Sequence, residues 1–160
     1  MKSFILQLLI IIVIFQGVTM YRQANMLDSD TEAAPNFTLL DVSYQPQHLL
    51  AKNGQQTVVY FFAPWCTVCR YSMGNLQDIY EDNDDINIVA VALDFANKTA
   101  VDDFILDLQL TMPVLLGNEQ VKQAYQISAY PSYYVLSPQH TIEYRSMGYS
   151  TQIGLMMRIN

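Results

Sequence analysis

Basic residues are scarce in this 160-residue chain, with eight Lys and Arg against fifteen Asp and Glu and a formal charge of −7. That balance argues against nucleic-acid binding, which needs a basic face to neutralise phosphates. Histidine is nearly absent as well. A zinc site needs about four ligands, and His48 and His140 lie at no ligand spacing from the two cysteines, so no metal and no other cofactor is expected. Cysteine is confined to Cys66 and Cys69. Having no stray thiol suits an oxidising compartment, and no cysteine stands near the N-terminus to accept a lipid. Internal repeats and low-complexity blocks are missing too.

What is present centres on residues 57–70, TVVYFFAPWCTVCR. The run 57–62 is rich in β-branched and aromatic residues and predicts a central strand, which Ala63-Pro64 ends. A helix follows from Trp65, with Met73, Leu76, Ile79 and Tyr80 at the three-and-four spacing of one apolar face. Cys66 is therefore expected at a helix N-terminus, where unpaired N–H groups and the macrodipole favour a thiolate and can draw its pKa below ~8.5. In that position it is the attacking sulfur. Cys69, one turn deeper, is expected to be the more buried and to close the disulfide that releases product. A purely structural bridge is the duller reading, but a loop across two residues constrains little of the unfolded chain.

A second signal lies at residues 128–136, where Tyr130-Pro131 immediately precedes a strand-like run. Together, 57–69 and Tyr130-Pro131 resemble the thioredoxin superfamily. The resemblance implies a cis-proline facing the C-x-x-C, so that Tyr130 and Pro131 hold an extended client backbone, Trp65 shapes its approach, and Thr67 and Val68 complete the substrate-binding surface between the cysteines, where family members tune their redox potential. Residues 33–41, AAPNFTLLD, are similar to the opening of the TlpA-like and peroxiredoxin-like branch. A peroxiredoxin carries proline and threonine seven and three residues before its reactive cysteine, and Val59 and Ala63 stand there instead, which disfavours peroxidase activity. The chain is thus identified as resembling the membrane-anchored TlpA-like thiol–disulfide oxidoreductases. Its WC-x-VCR core, residues 87–93 and residues 148–155 come closest to the ScsD type, named for suppression of copper sensitivity.

Two departures from that family bear on mechanism. Thioredoxins keep a buried aspartate six residues before the first cysteine, where this chain has Tyr60. Several TlpA-like reductases carry a glutamate three residues after the second, where it has Ser72. No carboxylate is evident to take a proton from Cys69.

Residues 4–20 hold no charge, and a helix of that length spans ~25 Å of a ~30 Å hydrocarbon layer. They predict a retained membrane anchor at 1–21; a cleaved signal peptide is the rival, although no small-x-small cleavage site follows. Residues 22–34 are polar and aperiodic and read as a tether. Residues 35–160 are long enough for one domain. Lys2 places the N-terminus in the cytoplasm, and the catalytic domain is then expected in the periplasm on a single pass through the bacterial inner membrane.

The expected fold is α/β and thioredoxin-like, a central mixed sheet flanked by helices, with a TlpA-type N-terminal extension and central insertion behind one transmembrane helix. Further elements follow from pattern: a buried strand over 86–93, a helix over 100–110, a strand over 113–116, a helix over 119–125, a hairpin of 133–136 and 142–146, and a closing helix over 151–159. The acidic stretch 81–85 reads as a solvated loop, and the eight methionines as anchor and core filling.

Three function classes remain open. The first is a membrane-tethered oxidoreductase acting on disulfide-bearing client proteins, for which the family resemblance implies a reductant recharged by a membrane electron donor of the DsbD or ScsB type. The second is a Cu(I)-binding copper-tolerance module using the same two thiolates. The third is a non-catalytic adaptor.

Overall fold

The strand expected over 57–62 lies at the centre of the molecule. The computed structural model describes residues 2–24, 26–27, 33–50 and 54–159, and within 2–24 the side chains of 4–18. Seven strands form one sheet: β1 (Thr38–Asp41), β2 (Pro46–His48), β3 (Gln56–Phe62), β4 (Ile86–Ala92), β5 (Val114–Leu116), β6 (Ser132–Leu136) and β7 (Ile142–Met147), in the spatial order β2-β1-β5-β4-β3-β6-β7. β3 pairs parallel with β4 and antiparallel with β6, β4 pairs parallel with β5, and the remaining pairs are antiparallel. The sheet is mixed, as the sequence predicts, and the fold is thioredoxin-like.

The helices are α1 (Lys2–Ala24), α2 (Thr67–Asp82), α3 (Lys98–Asp107), α4 (Glu119–Ala124) and α5 (Gln152–Met156). β3 is buried from Thr57 to Phe62 because both of its faces are covered. Val58, Tyr60 and Phe62 join a core with Met73, Leu76 and Ile79 of α2, Val101 and Phe104 of α3, and Leu155 of α5. Val59 and Phe61 point the other way, into a core with Val121 of α4, Tyr125 and Tyr134. β6 alternates in the same manner, Tyr133 in the first core and Tyr134 in the second.

Differences from the sequence reading are local. α3 starts before Ala100 because Asn97 caps it, accepting from the Ala100 N–H at 3.0 Å, and the left-handed Gln109 (φ 52°) follows its end. The acidic stretch 81–85 begins inside α2, which runs to Asp82, and Asn83 then donates to the Ile79 carbonyl at 2.9 Å. His48 sits in the edge strand β2, with Nδ1 3.2 Å from Thr38 Oγ1, and His140 in the β6–β7 turn with φ 65°.

Gly117 packs directly against β4 and Leu93. A Cβ there would stand 2.6 Å from Leu93 Cδ2, 2.7 Å from Val91 Cγ1 and 2.9 Å from the Ala92 carbonyl oxygen, which already accepts the Gly117 N–H at 2.9 Å. The carbonyl belongs to a central strand and cannot yield. Gly117→Ala is expected to destabilise the domain by about 1–3 kcal/mol, read as a lower urea midpoint, and an unchanged midpoint would contradict the packing described.

The N-terminal part agrees with expectation only in part. α1 forms, and its apolar side chains from Phe4 to Val18 stand exposed, Phe4 at 70% and Val13 at 69%. Among the described residues, however, no helix is long and apolar enough to cross a membrane. The expected tether over 22–34 is also not free where it is described. Met26 is 2% exposed, Arg145 donates to the Met26 and Leu27 carbonyls at 2.8 and 2.7 Å, and the Leu27 N–H donates to Tyr134 Oη at 3.2 Å. Ala33 bridges to Thr141, and the Ala34 N–H donates to the His140 carbonyl at 2.7 Å. One methionine and main-chain groups make these contacts, so no apolar period announces them.

Candidate active site

The site begins where β3 ends. Ala63 and Pro64 turn the chain, the Cys66 N–H donates to the Ala63 carbonyl at 2.9 Å, and α2 starts at Thr67. Cys66 is the N-cap of α2, with φ −80° and ψ 109°, and its Sγ accepts from the Cys69 N–H at 3.1 Å. The two cysteines are joined by a disulfide, their Cα atoms 5.2 Å apart. Cys66 keeps 6% of its surface exposed and Cys69 none, so Cys69 is the more buried residue, as the sequence predicts. Thr67 and Val68 are exposed, and Trp65 is 66% exposed.

Tyr130 and Pro131, more than sixty residues away in sequence, join this group. The Tyr130-Pro131 peptide bond is cis, Pro131 is buried, and Tyr130 is half-buried in the loop that leads into β6. The Trp65 and Tyr130 rings meet edge to face with centroids 5.8 Å apart. Trp65 and Tyr130 are thereby in contact, with Cys66, Thr67, Val68 and Cys69 following Trp65 in the chain and Pro131 following Tyr130.

The Tyr60 and Ser72 hydroxyls are hydrogen-bonded to each other, and Ser72 Oγ also donates to the Val68 carbonyl at 3.1 Å. Burial pushes the Tyr60 phenol well above its ordinary pKa, so it is neutral across the physiological range. The pair therefore closes the first turns of α2 internally with uncharged groups where family members place a carboxylate.

Sequence reasoning missed Asp94. It follows β4 with φ 48°, its carbonyl accepts from Trp65 Nε1 at 2.9 Å, and its Oδ2 accepts from Tyr130 Oη at 3.0 Å and Lys122 Nζ at 2.6 Å. The hydrogen bond from Lys122 holds the carboxyl below its usual range. The only trace in the sequence is an acidic residue directly after the apolar run 86–93. Among the described residues no group of three or more His, Cys, Asp or Glu converges to hold a metal ion.

A mixed thioredoxin-like sheet that delivers a disulfide-forming C-x-x-C to a helix N-cap, beside a cis-proline, defines a class of thiol redox proteins. Comparison with known proteins narrows it. The chain matches the AhpC/TSA family over residues 31–145. It is 32% identical over 149 residues to the thiol–disulfide oxidoreductase ResA of Oceanobacillus iheyensis, covering 89% of this chain and 77% of that protein. It is 26% identical over 159 residues to the thioredoxin-like protein YneN of Bacillus subtilis, covering 96% and 94%. Among solved structures, StoA from Bacillus subtilis superposes with a TM-score of 0.70 at 25% identity, covering 80% of this chain and 98% of that one. The chain belongs to the AhpC/TSA family and, within it, is a thioredoxin-like thiol–disulfide oxidoreductase.

Proposed function

We propose that this protein is a membrane-tethered reductant of client-protein disulfides, working on the periplasmic side of a bacterial inner membrane and belonging to the ScsD type of TlpA-like proteins. One observation carries the reading: Cys66 caps α2 with a small exposed surface, and its disulfide partner Cys69 is fully buried one turn below. In the reduced protein, the Cys66 thiolate, favoured by the N–H groups of the first turn, attacks one sulfur of a client disulfide. A mixed disulfide forms and one client thiolate leaves. The Cys69 thiolate then attacks Cys66 Sγ, the second client thiolate leaves, and two electrons have passed to the client while Cys66 and Cys69 become the disulfide. Cys69 gives its one proton to the first departing client thiolate before it attacks, and the second client thiolate takes a proton from solvent.

Trp65, Thr67, Val68, Tyr130 and Pro131 receive the client segment in this scheme. A membrane electron donor of the DsbD or ScsB type returns the pair to its dithiol form. Residues 1–21 act as the anchor, 22–34 as the connection to it and 35–160 as the catalytic domain. The anchor is supported by the uncharged run 4–20 and by the exposed apolar side chains of α1. Full-length protein resisting alkaline extraction from membranes tests it.

The direction of transfer is tested by the reduction potential of the Cys66–Cys69 couple in a dithiothreitol or glutathione series. A reductant is expected well below about −200 mV, whereas a value near −120 mV would make the protein an oxidant.

A further inference from the structure

We propose that Asp94 is a positioning residue that clamps the two aromatic walls of the client site, Trp65 and Tyr130, into one preformed surface. The inference rests on the exchange reading above and adds a residue to it. Trp65 directly precedes Cys66 and Tyr130 directly precedes Pro131, and each comes from a different loop. Asp94 comes from a third loop and reaches both, through its carbonyl to Trp65 Nε1 at 2.9 Å and through Oδ2 to Tyr130 Oη at 3.0 Å. Lys122 pairs with the same Oδ2 at 2.6 Å, which ties α4 into the clamp and balances its charge.

The backbone at Asp94 has φ 48°, a left-handed conformation that aspartate tolerates better than most residues. In that conformation the one residue presents a main-chain acceptor to the indole and a side-chain acceptor to the phenol. The polarity is fixed, because the Asp94 carbonyl and carboxylate only accept, so the Trp65 indole donates to the first and the Tyr130 hydroxyl to the second. An indole 66% exposed would otherwise sample several rotamers. Held by Asp94 and by the edge contact with Tyr130, it meets its ordering cost on folding instead of on client binding. Asp94 touches neither sulfur in this arrangement. It acts on how well a peptide is held, not on the exchange step.

The test uses full-length reduced protein with two probes, a short peptide containing an internal disulfide and the small molecule hydroxyethyl disulfide, which has no backbone to grip. Asp94→Gly keeps the left-handed backbone and its carbonyl but removes the carboxylate. It is expected to raise KM for the peptide about tenfold with kcat held within about twofold, and to leave exchange with hydroxyethyl disulfide unchanged. Asp94→Asn keeps an acceptor for Tyr130 and should recover most of the affinity. Combining Asp94→Gly with Tyr130→Phe should cost no more than either change alone, as expected for groups that act through one bond. Trp65 is the sole tryptophan, so its acrylamide quenching reports the clamp directly and should rise in Asp94→Ala, where the left-handed backbone is strained.

An unchanged peptide KM in Asp94→Gly, additive effects with Tyr130→Phe, or a parallel loss on both probes would overturn the clamp alone. A wild-type protein inert toward both disulfides would overturn the exchange reading and the clamp with it.

Discussion

Cys66→Ala is expected to abolish disulfide exchange, lowering the rate by roughly three orders of magnitude or more, because the chain holds one other cysteine and that one has no exposed surface. Cys69 is a fully buried residue of the first turn of α2, so a client disulfide cannot approach its sulfur without local opening. Cys69→Ala should fail differently. Its Cys66 remains at the helix N-cap, attacks as before, and then has no partner to expel the client, so covalent complexes accumulate. Non-reducing electrophoresis of extracts expressing each variant separates the two outcomes: dithiothreitol-sensitive high-mass bands with Cys69→Ala and none with Cys66→Ala. Equal trapping by both would remove the basis for the assigned roles, since it would mean that burial does not order the two sulfurs.

The positions behind these expected roles were legible in the sequence because each rests on a local pattern. An apolar run broken by Ala63-Pro64, a C-x-x-C, and apolar residues at helical spacing fix the N-cap position of Cys66 within a stretch of about one helix. Tyr130-Pro131 was legible for another reason, a proline set directly before a strand. The β3, β4 and β6 strands follow from residues 57–62, 86–93 and 133–136 in the same way, since strands covered on both faces read as continuous apolar runs.

The parts that were not legible depend on contacts that leave no periodic trace. Asp94 acts through one carbonyl, one carboxylate and a left-handed backbone, and nothing in the run around it distinguishes it from a solvated turn residue. Met26 and Leu27 dock onto the domain largely through main-chain groups that accept from Arg145 and donate to Tyr134, within a segment whose composition is that of a linker. The edge strand β2 includes Pro46 and is exposed along its length, so neither alternation nor burial marks it.

Phe104→Ala is expected to destabilise the domain by about 3–5 kcal/mol, read as a fall in the urea midpoint. Phe104 is fully buried on α3, its ring stacked on Phe62 with centroids 4.7 Å apart, and the Arg70 guanidinium lies 5.0 Å from its centroid on the other contact. Phe62 is the last residue of β3 and Arg70 follows Cys69 directly, so this one ring is packed against both chain segments that flank the disulfide loop. Truncation leaves a cavity that backbone-anchored neighbours on a central strand cannot close, and a domain with a typical total of about 5–15 kcal/mol loses a large share of it. Asp107→Asn provides the contrast. It breaks the Arg70–Asp107 pair at 3.0 Å, whose side chains are 39% and 60% exposed, and an ion pair in water is worth less than about 1 kcal/mol. Phe104→Leu should fall between the two, retaining most of the buried area but not the stacking on Phe62. If Asp107→Asn lowered the midpoint more than Phe104→Ala, the hold of α3 on the redox helix would have to be electrostatic, and the assignment of that role to the buried ring would be wrong.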